Sequence, residues 1–482
     1  MACNDGFCAN YLIIKPEEAS FLDLFYLLFS TDLEKRKFIT CQEDSKEADR
    51  RRRWIILITV IIQKILLLIA KPMAWVGSVG EEWLNLLSCN GGFTKLVSNF
   101  IAGNVVTPPN QSSATFTSYV GNLDTRLDLD KSIKPGDSKY YMTLSMMASK
   151  LSYENKAFVQ NVVTNHWKME FIGFYDFWND YEQKVTTQAF IFQDKKSIPE
   201  MIMVAFRGTE PFNAYDWITD IDISWYELSG VGKIHGGFMK ALGLQKKKGW
   251  PKEVAQENSH TSFAYYGIRE MLRDLLQRNE QAKFIVTGHS LGGALAILFP
   301  MILFLHEETW LLERLEWVYT FGQPRVGDQK LGEYMNEQMK LHCVRYLRFV
   351  YCNDLVPRLP LDDSTLLFKH FGSCAYYDSL YKSKIVKEEP NKNYFSVLEA
   401  IPKHLNAMWE LIRGYIIPYV KGPDYAEGWC LRMFRVIGLT IPGLSDHGPQ
   451  DYVNSTRLVS SFPSLQLQDL IHQEGLEYEK SY

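Results

Sequence analysis

A serine becomes a nucleophile when an imidazole takes its proton and a carboxylate holds that imidazole in place. The stretch "GHSLG" (288–292) sets Ser290 between two glycines, after the apolar run "FIVT" (284–287) and before a long apolar run over 291–308. A strand, a tight turn eased by the glycines and a helix, in that order, lift a serine above the carboxyl edge of a sheet. The helix N-terminus then faces the negative charge that develops on an attacked carbonyl. In such an arrangement the acid and then the base follow the serine along the chain. Asp354 stands after the strand-like "RYLRFVY" (345–351) and before two prolines that fix the loop. Its competitor Asp328, after "FGQPRVG", is better suited to capping the helix that begins beside it. Of the histidines beyond Asp354, His370 falls in a strand-like stretch that commits its ring to packing or a backbone bond, His404 in a helical one and His472 in the polar tail. His447 sits in the Gly/Pro-bounded loop "IPGLSDHGPQDY". The expected triad is therefore Ser290, Asp354 and His447, with His289 pointing away from the turn as a structural residue. The expected oxyanion donors are the amides of Leu291 and of Thr209, the latter in the loop "VAFRGTEPFNAYDW" with its hydroxyl free to assist.

Positioning these groups takes a sheet whose strand ends converge. From about residue 140 strand-like and helix-like stretches alternate, which predicts an α/β domain with a largely parallel sheet. "AFIF" (189–192), "MIMVAF" (201–206), "FIVT", "WVYTF" (317–321) and "RYLRFVY" are the strands; 261–279 and 291–308 carry helical spacing. Residues 381–440, aromatic-rich and helix-like, read as a late insertion. The expected organisation is an N-terminal region over 1–103, a linker over 104–139 and the catalytic domain over 140–482. The 482 residues are 46% hydrophobic and 22% charged, a globular composition. The net charge of −4 gives no basic face for nucleic acid. Eight scattered cysteines form no CxxC pair and no zinc spacing, so reduced thiols in a cytosol-facing protein are expected, with no metal. The first residues show no basic segment leading into an apolar one, so no secretory signal is expected.

"FRGT" (206–209), "IHGGF" (234–238), "GHSLGGA", "FGQPRVG", "NDLVPRLP" and "DHGPQDY" stand in the order found in the fungal-type lipase family, class 3, which the chain resembles over about residues 140–460. Within it the chain looks most like the plant oil-body lipases. The resemblance implies an α/β-hydrolase fold, the same triad and oxyanion donors, and cofactor-free release of fatty acids from acylglycerols. Thr209 stands where fungal members have serine. Between "FRGT" and "IHGGF" the family carries its lid, and about 210–225 here sets Ala214, Trp217, Ile218 and Ile221 at helical spacing. A triacylglycerol lipase is the leading expectation. A diacylglycerol lipase or phospholipase A1 on the same scaffold is the alternative among enzymes, and a non-catalytic lipase-like interaction protein is the alternative outside them.

The most apolar segment is "RRRRWIILITVIIQKILLLIAKP" (50–72). Residues 54–70, only 17 long, are at the bottom of the range for a span. Twelve Ile, Leu and Val favour insertion by roughly 0.3–0.6 kcal/mol each, while Lys64 costs about 2.5–3.5. Thr59, Gln63 and Lys64 can share one side, so a helix lying in a lipid surface is expected, with Arg50 to Arg53 among anionic headgroups. Lys71-Pro72 is expected to end it and let 73–103 fold back. The expected partner surface is a lipid-droplet monolayer or a membrane, as the resemblance to oil-body lipases also implies.

Overall fold

The computed structural model describes residues 7–29, 33, 36–41, 50–137, 139–179, 183–245, 248–253, 262–360, 368–394, 396–422 and 425–458. His472 lies outside them. The chain opens on β1 (Asn10–Ile14), α1 (Phe21–Phe29) and β2 (Ile39–Cys41), followed by α2 (Arg50–Cys89), α3 (Phe93–Ile101) and α4 (Tyr119–Leu123). Next come α5 (Tyr140–Leu151), α6 (Lys156–Asn161), β3 (Glu170–Asn179), β4 (Lys184–Asp194), β5 (Met201–Phe206) and α7 (Ala214–Ile221). The hairpin β6 (Trp225–Leu228) and β7 (Gly232–His235) precedes α8 (Gly236–Leu242) and α9 (Ala264–Arg278). Then β8 (Lys283–His289), α10 (Leu291–Leu305), α11 (Thr309–Leu312), β9 (Leu315–Phe321), α12 (Gln329–Leu341) and β10 (Arg345–Tyr351) alternate. The chain continues with β11 (Ser373–Tyr377), β12 (Ser383–Val386), α13 (Ala400–Lys421), α14 (Trp429–Gly438) and α15 (Pro449–Leu458).

The main sheet has the order β12-β11-β10-β9-β8-β5-β4-β3. Its five middle strands, β11 to β5 in that order, are parallel, and the strands at both flanks are antiparallel. All six residues of β5 are buried, as a strand covered on both faces requires. α8, α9 and α10 pack against one face, while α5 and α15 close the other. This is the α/β-hydrolase architecture, and all five expected strands are present, "MIMVAF" and "RYLRFVY" to the residue. Because the middle strands run parallel, the segments after β5, β8 and β10 leave the same edge, and these carry Thr209, Ser290 and Asp354. A second sheet, β2-β1-β6-β7, joins the N-terminal strands to the hairpin after α7.

The N-terminal region differs from expectation at Pro72 and at Arg53. Pro72 does not end its helix: α2 continues unbroken from Arg50 to Cys89. A proline inside a helix removes one hydrogen bond and costs about 3 kcal/mol. Contacts on both sides of it hold the halves in line. Before Pro72, Ile56, Val60 and Gln63 are buried. After it, Gly77 lies so close to Phe212 that a Cβ there would meet the Phe212 Cβ at 2.5 Å and the ring at 2.7 Å, and Asn85 exchanges hydrogen bonds with the backbone of Thr117 at 2.8 and 3.0 Å. The reversal comes instead at Gly91-Gly92, both with positive φ, where the Gly92 amide closes on the Leu87 carbonyl at 2.8 Å. Thr59 and Gln63 do share one side, and that side faces the protein. Ile58, Ile61, Ile62, Ile65 and Leu68 are exposed on the other. Of the four arginines, Arg50 and Arg51 are exposed, whereas Arg53 is buried and donates to the Leu28 carbonyl at 2.8 Å.

Candidate active site

β8 ends on His289, and Ser290 takes φ 59 and ψ −131 before α10 begins at Leu291. A non-glycine residue in this region is strained, and the strain sits on the serine. Neither flanking glycine has the positive φ that would mark a turn glycine. They serve close approach instead: a Cβ on Gly288 would meet the Gly292 carbonyl carbon at 2.2 Å, and one on Gly292 would meet the Phe206 carbonyl oxygen at 2.4 Å. α10 is thereby pressed against the ends of both β8 and β5.

Asp354 is fully buried two residues past a positive-φ turn at Cys352. Its Oδ1 accepts the Val356 amide at 2.9 Å and its Oδ2 accepts the Tyr452 hydroxyl at 2.5 Å. His447 sits in the short 3-10 turn Ser445–His447 that leads into α15. Its Nδ1 lies 2.9 and 3.0 Å from the two Asp354 oxygens, and its Nε2 lies 2.8 Å from Ser290 Oγ. The three expected residues thus form one continuous hydrogen-bonded chain. Since the carboxylate can only accept, His447 Nδ1 is the donor to it, which leaves Nε2 able to accept the serine proton. The rivals stand elsewhere. Asp328 Oδ1 caps α12 by accepting the Leu331 amide at 2.9 Å. His370, just ahead of β11, places Nε2 2.7 Å from the Pro357 carbonyl, and burial holds its imidazole well below the ordinary histidine range. His404 lies exposed on α13, bonded to the Ala400 carbonyl.

Two expectations about neighbouring residues need correction. His289 does not point away from the site: its ring lies over that of His447 at 4.6 Å between centroids. Its Nε2 is 2.8 Å from the His447 carbonyl, and its Nδ1 is 2.8 Å from the Tyr153 hydroxyl. A carbonyl only accepts, so Nε2 carries the hydrogen and Nδ1 accepts from Tyr153. Burial, then the adjacent His447, keeps this ring well below the usual range and therefore neutral. The second correction concerns Thr209, whose hydroxyl is engaged: Oγ1 donates to Asp220 Oδ2 on α7 at 2.6 Å. Leu291, as the first residue of α10, has an amide with no carbonyl four residues back inside the helix. Gly208, just before Thr209, lies so close to Tyr153 and His289 that a Cβ would meet the His289 carbonyl oxygen at 2.5 Å.

Sequence reasoning missed Tyr452, Tyr153 and the Asp220 contact. Tyr452 had a signal, since it closes the "DHGPQDY" motif one turn into α15.

α7 forms over the residues expected of a lid, Trp217, Ile218 and Ile221 included, and is capped by the Asn213 side chain on the Tyr215 amide. Ile218 is buried, and its carbonyl accepts from Gln63 Nε2 of α2 at 3.3 Å. Ser290 is 2% exposed, so its hydroxyl is shut off from bulk water in this state. Behind α7, a cavity of about 570 Å³ is lined by Gly77 and Glu81 of α2, Tyr153, Arg207 and Phe212.

Among the described residues, one further set of potential ligand atoms converges: Cys352, Glu410 and Asp446, within 4.8 Å of one another and all buried. The carboxylates already have partners. Glu410 accepts from Tyr351 at 2.8 Å and Arg435 at 3.1 Å, and Asp446 accepts the Asn353 amide at 3.0 Å. The set ties α13 to the two loops that carry Asp354 and His447.

The sequence model of the family described as Lipase (class 3) matches residues 203–364, a stretch that contains Thr209, Ser290 and Asp354. The triacylglycerol lipase OBL1 of Arabidopsis thaliana is 44% identical over an alignment spanning 94% of this chain and 96% of that protein. The triacylglycerol lipase OBL1 of Nicotiana tabacum is also 44% identical, over 84% and 83% of the two chains. That of Ricinus communis is 39% identical, over 93% and 95%.

Proposed function

The chain belongs to the class 3 lipase family, and from that premise we propose that it is a triacylglycerol lipase acting at the surface of lipid droplets. The observation that carries the chemistry is the unbroken chain from Ser290 Oγ through His447 to Asp354, at 2.8 and 2.9 Å. Ser290 Oγ attacks the ester carbonyl while its proton passes to His447 Nε2. The negative oxygen of the tetrahedral intermediate is held by the amides of Leu291 and Thr209. Asp354 keeps the ring oriented and stabilises the imidazolium, which then protonates the departing alcohol of the glyceride. Water, deprotonated by His447, attacks the acyl-enzyme and frees the fatty acid and the serine. No step calls for a metal or cofactor.

α7 acts as the lid. Its contact with α2 supports this role, because α2 turns its other, apolar side outward and would bring the lid to the lipid surface. Residues 50–103 form the anchoring region, with α2 lying in the surface and the catalytic domain beyond about residue 140. The 104–139 segment links the two while docking on α2 through Thr117.

The test is direct. Purified full-length protein is assayed in parallel on emulsified triacylglycerol, diacylglycerol and phospholipid, with a fluorophosphonate to label the activated serine. Labelling at Ser290 with fastest release from triacylglycerol is expected. Preferential phospholipid hydrolysis would replace the substrate assignment, and failure of Ser290 to label in folded protein would remove the enzyme assignment altogether.

A further inference from the structure

Helices of water-soluble proteins turn apolar side chains inward and charged ones outward. α13 is built the other way round. The positions it buries include Lys403, Glu410 and Arg413, together with Ala407, Gly414 and Ile417. Its exposed positions include Ile401, Leu405, Trp409, Ile412, Ile416 and Tyr419, spaced by three and four residues. No Asp, Glu, Lys or Arg occupies an exposed position between 401 and 420. α14 repeats the inversion, with Leu431, Arg435 and Gly438 inward and Trp429, Met433, Val436 and Ile437 outward.

The inner charges account for themselves. Arg435 reaches Glu427 at 2.8 Å, Asp451 at 2.9 Å and Glu410 at 3.1 Å, and Arg413 reaches Asp451 at 3.3 Å. This network fixes which side of each helix faces the protein. It leaves the apolar sides facing a medium that must be less polar than water, because a contiguous apolar patch of two helices is larger than a soluble monomer ordinarily exposes.

Three observations identify that medium as lipid. First, the outward face of α13 carries no Asp, Glu, Lys or Arg between 401 and 420 yet is rich in Trp and Tyr, the rings that settle at the boundary between headgroups and acyl chains, and the half-buried Arg432 of α14 lies over one of these rings, Tyr415, at 4.4 Å. Second, the charged inner face bars α13 from crossing a bilayer, so it must lie flat. Among the described residues α2 is the helix long and apolar enough to span. Third, α14 and α2 both pack on α4, so the outward apolar residues of α14 border the same element as Trp75, Val79 and Trp83 of α2.

We propose that the outward faces of α13 and α14 are a second lipid-contacting surface, continuous with that of α2, which seats the catalytic domain on its substrate phase. The inference rests on the reading of α2 as a surface anchor, and it places lipid one helix layer from the catalytic loops. On the inner side of α13, Glu410 meets the Tyr351 hydroxyl, and Asn406 Nδ2 donates to Cys352 Sγ at 3.1 Å, just ahead of Asp354.

The experiment uses the full chain with Leu405 and Ile412, one face apart by two turns, both replaced (Leu405→Glu/Ile412→Glu). Binding to triolein droplets coated with phosphatidylcholine is measured by flotation, beside hydrolysis of a soluble butyrate ester and fluorophosphonate labelling. The expected result is at least tenfold weaker droplet binding, with ester turnover and labelling within twofold of the parent. Binding within twofold of the parent, in protein that still labels, overturns the proposal. So does conversion of a dimer to a monomer with droplet binding retained, which would make the face a protein interface. Should the double variant fail to fold, Trp409→Phe/Trp429→Phe keeps the face apolar. It should bind as the parent does but lose part of the tryptophan emission quenched by dibrominated acyl chains, and an unchanged quenched fraction overturns the proposal. A parent that neither labels nor cleaves the soluble ester would instead fail the lipase reading, independently of where lipid touches.

Discussion

Gly292→Ala tests whether the approach of α10 to β5 sets the oxyanion site. The added carbon would lie 2.4 Å from the Phe206 carbonyl oxygen and 2.9 Å from the Arg207 carbonyl carbon, both backbone atoms that no rotamer can move. Real Cβ atoms essentially never come closer than 3.0 Å and reach ordinary contact at 3.4 Å, so the start of α10 must retreat by about 0.6–1 Å from the end of β5. The Leu291 amide rides on α10 and the Thr209 amide on the segment after β5, so the gap between the two proposed oxyanion donors widens by a similar amount. A displacement near 1 Å costs roughly 100-fold in rate, and loss of one oxyanion donor roughly 100- to 1000-fold. The variant should therefore show kcat down by about 100-fold on a soluble ester, little change in KM, and stability lower by about 1–3 kcal/mol. The control is Gly80→Ala in α2, where nothing lies within 4 Å of the added carbon and kcat should hold. Stopped-flow ester hydrolysis and urea unfolding report the two quantities. A folded Gly292→Ala protein with kcat within threefold of the parent would refute the claim that this contact spaces the donors.

Ser290→Ala should lower turnover by about 10⁴–10⁶-fold, with His447→Ala equally damaging and the double variant no worse, since triad members act as a unit. His370→Ala should cost stability and leave fluorophosphonate labelling intact; loss of labelling in folded protein would mean that the wrong histidine was assigned. Trp217→Ala or Ile218→Glu should reduce hydrolysis of emulsified triacylglycerol more than that of a soluble ester, and equal losses would reduce α7 to ordinary packing. Burial pushes the Glu154 carboxyl up to about 7 from 4.5, against the hydrogen bonds from Ser118 that oppose the rise. Between those values the folded chain holds more protons than the unfolded one. Stability contributed by this group is therefore full below about pH 4.5 and is lost as pH climbs through 7, by about 3 kcal/mol. Unfolding midpoints at pH 5 and 8 should differ less in Glu154→Gln than in the parent, and an unchanged pH slope would discard the assignment.

That Ser290, Asp354 and His447 come together was legible because each carries a local signal that tertiary structure then obeyed. Ser290 has glycines on either side and apolar runs beyond them, Asp354 follows a fully buried strand, and His447 alone stands in a Gly/Pro-bounded loop. What surrounds the triad was not legible, because its contacts join residues far apart with no pattern between them. The hydroxyl of Tyr452 reaches Asp354 across 98 positions, and His289 meets His447 across 158. The fate of the Thr209 hydroxyl depends on where α7 sets Asp220. Short strands such as the three residues of β2 exist only because β1 is there to pair with them. Pro72 misled for a related reason: a local rule about helix ends lost to packing on both sides of the residue.

The polarity of the surface helices is the instructive case. Periodicity finds the stripe of Ile401, Leu405 and Ile412 on α13, but a stripe does not say whether it faces in or out. The deciding information is the complementarity of Arg413, Arg435, Glu410 and Asp451, three elements of sequence that each look like ordinary surface charge until they are brought together. The same holds for α2, where Gln63 reads as a flaw in an apolar helix and turns out to touch Ile218 of α7. With α7 as the proposed lid and α2 as the proposed anchor, a helix whose polar Gln63 touches α7 and whose apolar residues face outward links two events that sequence treats separately, arrival at a lipid surface and exposure of Ser290. Displacing α7 must disturb that contact, so whatever fixes α2 also bears on how readily the site opens.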